Sequence, residues 1–363
     1  MSTQITVSNV YSGTPPYDIW VCDECTSDNV CQYINTVTTL PYSFTLPSEY
    51  DSYYTYGVKV IDDNNCSYCF GGFGTFITEW TTTAPNQSIT LPYDNGSNYI
   101  NRYTGQIDWG DGSISANSYN NRTHLYVSAD TYTVKINGTC IGWNFNVSGS
   151  TPNLLTSVVS WGILNLNNIA ENMFSGCTNL NLSNTYGTLN LDNCYSLTNM
   201  FNSCSSLTSV NNINSWITSP ITATTNMFSG CTSFNQTLGF NTVSVKNMNN
   251  MFTNCSSLNQ PILFNTYSVT GMTGMFKNCI SFNQNISNWS VRNLLNASEF
   301  MSGKTTSNYS FLSNIYNSWS NQITQTGVTI DFGTIQYNAS SQTYKNILTG
   351  ATKNWIITDG GQI

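Results

Sequence analysis

A five-residue motif returns five times in the second half of the chain, and nothing else in the sequence limits the fold so tightly. The copies are Met173-Phe-Ser-Gly-Cys177, Met200-Phe-Asn-Ser-Cys204, Met227-Phe-Ser-Gly-Cys231, Met251-Phe-Thr-Asn-Cys255 and Met275-Phe-Lys-Asn-Cys279. Three residues after each cysteine stands a further apolar residue: Leu180, Leu207, Phe234, Leu258 and Phe282. The copies are 27, 27, 24 and 24 residues apart, so each period reads as one structural unit stacked on the next. No unit can bury its own Met-Phe-Cys face. Stacking hides it, at roughly 1.5–3 kcal/mol for each large apolar side chain removed from water.

Within one period Val245, Met248, Met251, Phe252, Cys255 and Leu258 recur every three or four residues, as do Val269, Met272, Met275, Phe276 and Cys279. That spacing predicts a short helical or 3₁₀ segment facing inward. The stretch that follows, Phe234 to Phe240 and its equivalents from Leu258 and Phe282, is expected to supply a strand, and the strands a parallel sheet along the stack. The repeated cysteines read as small inward side chains with free thiols, since equivalent positions in adjacent coils face the same way and seldom meet disulfide geometry.

These periods fall inside the roughly 20 to 29 residues of leucine-rich repeats. The repeats, together with Tyr316, Trp319, the run from Gly327 to Gly333, Tyr337 and the run from Trp355 to Gly361, resemble BspA-like surface proteins, whose NMFxxC-type repeats end in such a segment. The resemblance implies a leucine-rich-repeat-like solenoid over 151–301, a capping segment over 302–363, and a protein that displays a binding face.

The N-terminal half reads as β structure. Residues 1–75 alternate short β-prone runs (Gln4 to Val7, Tyr17 to Val21, Tyr56 to Ile61) with turn signals, as in a small antiparallel sandwich. The opening GTPPYDIW and the later VKVIDDNNC resemble the Ig-like repeats of SprB-like adhesins. Over 76–150, Asp108-Trp-Gly-Asp-Gly-Ser113, Thr123-His-Leu-Tyr126 and Thr131-Tyr-Thr-Val-Lys-Ile136 resemble a PKD-type Ig-like domain, with Ala129-Asp130 where that family usually has Pro-Gly. Gly110 and Gly112 suit the positive φ angles of a tight hairpin, and Tyr132, Val134 and Ile136 alternate as one buried face. The expected fold class is therefore mainly β with short helical segments: two N-terminal Ig-like β-sandwiches, then the solenoid and its cap.

Only 8% of residues are charged and the net charge is −8, yet aromatics reach 13%. Intrinsic disorder does not fit such an apolar load. No Lys/Arg cluster offers to neutralise phosphates, which argues against nucleic acid and anionic membrane as partners. Residues 1–10 show neither a basic nor an apolar leader region, and no stretch is long enough to cross a bilayer.

Candidates for chemistry are few. Cys22-Asp-Glu-Cys25 and Cys66-Ser-Tyr-Cys69 have ligand spacing for a structural zinc site. The competing reading pairs them, with Cys31, as strand-end disulfides or leaves them as buried thiols. Asp108 and Asp111 lie in a tight turn where short carboxylates cap backbone N–H groups, with calcium as an option. His124, the only histidine, has no nucleophile in a recognisable elbow and reads as framework. Asn-x-Ser/Thr triplets such as those at Asn121 and Asn137 read as composition. Trp216 and Trp289 are candidates for stacking on a ligand, against ordinary packing between coils. No metal triad, phosphate loop or paired acid points to an enzyme or to a resident cofactor.

The expected function is that of a non-enzymatic bacteriophage virion surface protein: a tail or head fibre, or a capsid decoration. Its N-terminal domains would dock on other virion proteins and its repeat face on a host-surface glycan or protein, with homo-oligomerisation open. The alternative is a BspA-like adhesin on a bacterial cell surface.

Overall fold

The computed structural model describes residues 4–7, 13–22, 31–47, 56–64, 67–73, 75–94, 102–162, 164–166, 170–191 and 194–363. The architecture is mainly β, with only two short α-helices among the described residues. None is long and apolar enough to cross a membrane.

The first strands are β1 (Gln4–Val7), β2 (Tyr17–Cys22), β3 (Cys31–Val37), β4 (Tyr42–Thr45), β5 (Tyr56–Ile61) and β6 (Ser67–Phe73). They form a four-stranded antiparallel sheet in the order β3-β2-β5-β6 and a two-stranded sheet, β1-β4. Tyr17, Ile19 and Val21 alternate inward along β2, as a half-buried strand requires. They share one apolar core with Ile5 and Val7 of β1, Phe44, Val58 and Val60. Cys22 and Cys31 are register partners across β2 and β3 and are joined by a disulfide.

The next strands are β7 (Phe76–Thr81), β8 (Gln87–Thr90), β9 (Tyr103–Thr104), β10 (Gln106–Asp108), β11 (Ile114–Ala116), β12 (Thr123–Tyr126), β13 (Thr131–Ile136), β14 (Thr139–Ile141), β15 (Leu155–Ser160) and β16 (Leu164–Asn165). Five of them make one sheet, β11-β10-β13-β7-β15. The hairpin between β10 and β11 turns on Gly110 at φ 81° and Gly112 at φ 91°; a Cβ on Gly110 would sit 2.6 Å from the Thr133 carbonyl oxygen. Val134 and Ile136 are fully buried, and Tyr132 is half-buried, stacked on Tyr126.

β15 is the hinge of the architecture. It pairs antiparallel with β7 on one side, and Ser157 and Ser160 make parallel bridges to Asn181 and Tyr186, in the first repeat, on the other. The first repeat is thus laid directly on the edge of the preceding sheet. One buried apolar cluster accordingly runs without a break from Phe76 to Trp355.

The segment preceding each Met-Phe pair, and not the one following the cysteine, carries the most continuous parallel ladder. Bridges run Ser196, Ala223, Asn247, Gly271, Asn296. The column continues through β17 (Asn296–Ala297), β18 (Thr329–Asp331) and β19 (Ile356–Thr358). The expected strand over Phe234 to Phe240 is reduced to a single bridge, Leu238 to Ile262. Helix α1 (Leu312–Ser320) buries Leu312, Ile315, Tyr316 and Trp319 against the last coils, and α2 (Gln342–Thr349) follows before β19.

Candidate functional site

The repeat motif itself is a chain of turns rather than the helical or 3₁₀ segment its spacing predicts. In the second copy the amides of Met200, Asn202 and Cys204 bond three residues back, to Leu197, Asn199 and Phe201. The alternate amides, of Asn199, Phe201 and Ser203, reach instead to Thr225, Met227 and Ser229 of the next coil. The switch is made by backbone in the left-handed region at two positions per motif. One lies before the methionine, at Asn172, Asn199, Asn226 and Asn250 (φ 54–57°); the other lies before the cysteine, at Ser203, Asn254 and Asn278, or at Gly176 and Gly230. Asparagine and glycine are the residues that tolerate this conformation at least cost. Every second amide is thereby freed to hold the neighbouring coil.

Side chains repeat the same logic in columns. The phenylalanines stack ring on ring: Phe174 to Phe201 at 5.7 Å, Phe201 to Phe228 at 5.3 Å, Phe228 to Phe252 at 5.8 Å and Phe252 to Phe276 at 5.6 Å. Asn199 donates to Asn172 Oδ1 and Asn226 to Asn199 Oδ1. Buried Thr218, Thr242 and Thr266 donate to the backbone carbonyls of Asn241, Asn265 and Ser290, one coil on.

The cysteines do more than fill space. The thiols of Cys204, Cys231, Cys255 and Cys279 donate to the carbonyls of Phe174, Phe201, Phe228 and Phe252, each one coil back, at 2.8–3.0 Å. Burial pushes the thiols of Cys177, Cys204 and Cys255 well above their ordinary range and that of Cys279 up to about 12. These four thiols therefore stay protonated and are poor nucleophiles.

Two further copies of the motif escaped sequence reading. Phe300-Met301-Ser302-Gly303-Lys304 stacks on the fifth copy, with Phe and Met exchanged and Lys304 in the cysteine position; a shortened seventh has Asp331 in the methionine position and Phe332 in that of phenylalanine. Lys304 is 1% exposed, and its Nζ donates to the carbonyls of Cys279 at 2.7 Å and Ile280 at 3.4 Å. Desolvation by burial brings its pKa down to about 8. The signal available was Gly303 before Lys304, in the place of the glycines before Cys177 and Cys231.

Trp216 and Trp289 are buried, at 3% and 2% exposure, which corrects their candidacy as ligand platforms. Trp216 packs beside Trp161 and Phe201, and Trp289 beside Phe276. Each occupies an inward position of its coil, so no ring face is open to a ligand. Of the four cysteines with zinc spacing, Cys22 is taken by its disulfide to Cys31 and offers no thiolate in that state. Cys25 and Cys66 lie outside the described residues, as does the side chain of Cys69, whose backbone runs in β6. Among the described residues no three His, Cys, Asp or Glu side chains converge as a metal site would require.

In the β10–β11 hairpin, Asp108 accepts from the Gly110 amide and Asp111 from the Ser113 amide, each at 2.9 Å. Asp111 also meets His124 Nε2 at 2.8 Å. Burial alone would raise its carboxyl, but the hydrogen bonds from His124 and Ser113 hold it below its ordinary value. His124 itself lies flat against Trp109 and edge-on to Tyr126. The arrangement ties strand β12 to the hairpin. In the C-terminal segment Tyr316 donates to Asp359, which also holds Lys345 at 2.8 Å and the Gly361 amide at 3.0 Å. This part-buried cluster clips α1 and α2 to the segment after β19.

The outside of the coils is the surface the stack exposes. Each coil turns a corner in a four-residue turn closed by Ile221 to Thr218, Val245 to Thr242, Val269 to Thr266 and Leu294 to Val291. The outward corner residues Ser219, Val243, Tyr267 and Arg292 therefore form one column. Thr222, Lys246, Thr270 and Leu295 form a flanking column, joined rung to rung by backbone hydrogen bonds of 2.8–2.9 Å.

Residues 145–239 and 195–319 match a family model described as "Mycoplasma protein of unknown function, DUF285". The repeat stack is similar to that family. The two matches overlap, as expected when one model is laid twice along a periodic array. No curated protein and no solved structure matches the chain.

Proposed function

We propose that this chain is a non-enzymatic display protein, in which a BspA-like leucine-rich-repeat solenoid presents its outer corners to a partner and two N-terminal Ig-like sandwiches carry it. One observation supports the reading above the others. The thiols of Cys204, Cys231, Cys255 and Cys279 and the ammonium of Lys304 are buried and hydrogen-bonded to backbone carbonyls one coil away. These side chains are thus spent on holding coils together, and what faces water is a surface rich in hydroxyls, carboxamides and tyrosines, with scattered aliphatic residues and a few charges. Those are the residue types that suit adaptable, weakly charged recognition.

The leading placement is the surface of a bacteriophage particle, as fibre or decoration, with the N-terminal domains against other virion proteins and the solenoid against a host glycan or protein. It rests on the joining of two β-rich units to a displayed repeat, which is fold-level analogy. The similarity of the stack to a Mycoplasma family favours a second reading, a BspA-like adhesin on a cell surface. Immunogold labelling with antibody against residues 151–363 separates them: gold on purified particles supports the first, gold only on the envelopes of uninfected cells supports the second. Gold confined to the interior of uninfected cells would overturn both.

A further inference from the structure

Charge is distributed very unevenly along this acidic chain. Not one of its 18 acidic residues falls between residues 193 and 298, a span that carries Lys246, Lys277 and Arg292. Lys277 is paired with Glu299 at 2.8 Å. Lys246 and Arg292 are in none of the ion pairs among the described residues, and both are exposed. They stand on the same corner of the stack, with Tyr267 on the coil between them.

Tyr267 is 50% exposed, at the outward corner of the turn that starts at Thr266. Arg292 occupies the equivalent corner of the next coil, its guanidinium carbon 5.8 Å from the centre of the Tyr267 ring. Lys246 lies one coil before Tyr267 in the flanking column, directly beneath Thr270, whose amide and hydroxyl both bond to its carbonyl. Two coils separate Lys246 from Arg292, a rise of about 10 Å along the stack at the spacing of parallel strands, and the two stand in neighbouring columns. An exposed tyrosine flanked along the stack by two cations outside any ion pair among the described residues matches an extended chain of sugar rings that carries acidic groups at intervals.

We propose that this corner, formed by Lys246, Tyr267, Thr270 and Arg292, binds an acidic polysaccharide. The cations meet its carboxylate or sulfate groups, a ring packs on Tyr267, and the Thr270 hydroxyl, whose own proton goes to the Lys246 carbonyl, accepts from a sugar hydroxyl. Nucleic acid fits less well, because two cations over three coils are too sparse for a duplex bearing a charge every 1.7 Å or so. The inference rests on the solenoid reading of the repeats but on neither placement of the protein, so failure of the immunogold test leaves it standing.

The test uses the purified full chain on sensors coated with polygalacturonate, dextran sulfate or unmodified dextran, with duplex DNA as a fourth probe. Binding to at least one acidic glycan, weakened by salt and absent from dextran, is the expected result. The double substitution K246Q/R292Q should weaken it about tenfold and Tyr267→Ala about fivefold, while Lys277→Gln leaves it unchanged. Thermal denaturation of each variant separates loss of binding from loss of fold. The proposal is overturned by any of four results: no binding to either acidic polymer, equal binding to dextran, equal or tighter binding to DNA, or unchanged affinity in a folded K246Q/R292Q variant.

Discussion

Lys304 places an ammonium at the end of a column of thiols, and its cost can be worked out. The other positions of that column hold buried cysteine thiols; Lys304 is 1% exposed and has no carboxylate partner among the described residues. Its pKa falls from 10.5 to about 8 on folding. Below pH 8 the group is charged in both states and the full penalty, about 3.5 kcal/mol at 1.4 kcal/mol per unit, is present. Between about 8 and 10.5 the unfolded chain holds a proton that the folded chain has released, so stability rises with pH over that window. Going from pH 7 to 9.5 should relieve about 2 kcal/mol. Lys304→Met removes the charge and with it this slope, leaving the carbonyls of Cys279 and Ile280 short of one donor. The measurement is the melting temperature of wild type and variant at both pH values, with the difference between them cancelling other titrations. Wild type should gain about 4–8 °C on Lys304→Met between pH 7 and 9.5. A difference that stays constant across the window would show that Nζ does not lose its proton there, and the argument from burial would fall.

Other outcomes follow from the columns. Phe228 stacks between Phe201 and Phe252 and against Phe234, so Phe228→Ala should cost about 3–5 kcal/mol, read as a lowered urea midpoint for the repeat half. At Asn226, φ 54°, Asn226→Gly keeps the backbone but loses the bond to Asn199 and should cost less than Asn226→Val, which a β-branched side chain makes worse by about 1–2 kcal/mol; the order of the two melting temperatures checks it. The thiols of Cys177, Cys204, Cys231, Cys255 and Cys279 are buried and should resist iodoacetamide until the stack unfolds, so fast labelling of any of them in native protein would contradict their place in the column. Non-reducing peptide mapping should recover Cys22 linked to Cys31; a linkage of Cys22 to any other cysteine would refute the β2–β3 register.

The repeat was legible because every coil faces the same interior: an inward position that must hold phenylalanine in one coil must hold something like it in the next. The conformation of the motif was not, since a helix and a run of turns both bring side chains together every three or four residues. What separates them is Asn226 before Met227 and Gly230 before Cys231, both in the left-handed region; asparagine is common enough in this chain that its place in the motif carries little weight alone. The sixth copy was hidden by two exchanges, Phe300 for methionine and Lys304 for cysteine, each tolerated because the array ends nearby. The fate of Cys22 was hidden for another reason. Its CxxC spacing to Cys25 is local, whereas its bond to Cys31 depends on the pairing of β2 with β3, which a single sequence does not display.

Burial and exposure therefore play opposite parts in this chain. The inward columns are constrained by their neighbours above and below, so Phe, Met and Cys recur and reveal the fold. The corner column is constrained by neither: Ser219, Val243, Tyr267 and Arg292 hold equivalent positions and share no chemistry. Such variation at one geometrically fixed position is what a scaffold permits when stacking no longer dictates the residue. Any recognition by the stack must be sought in those unrepetitive positions, and the periodic signal that exposes the fold is silent about the partner for the same physical reason.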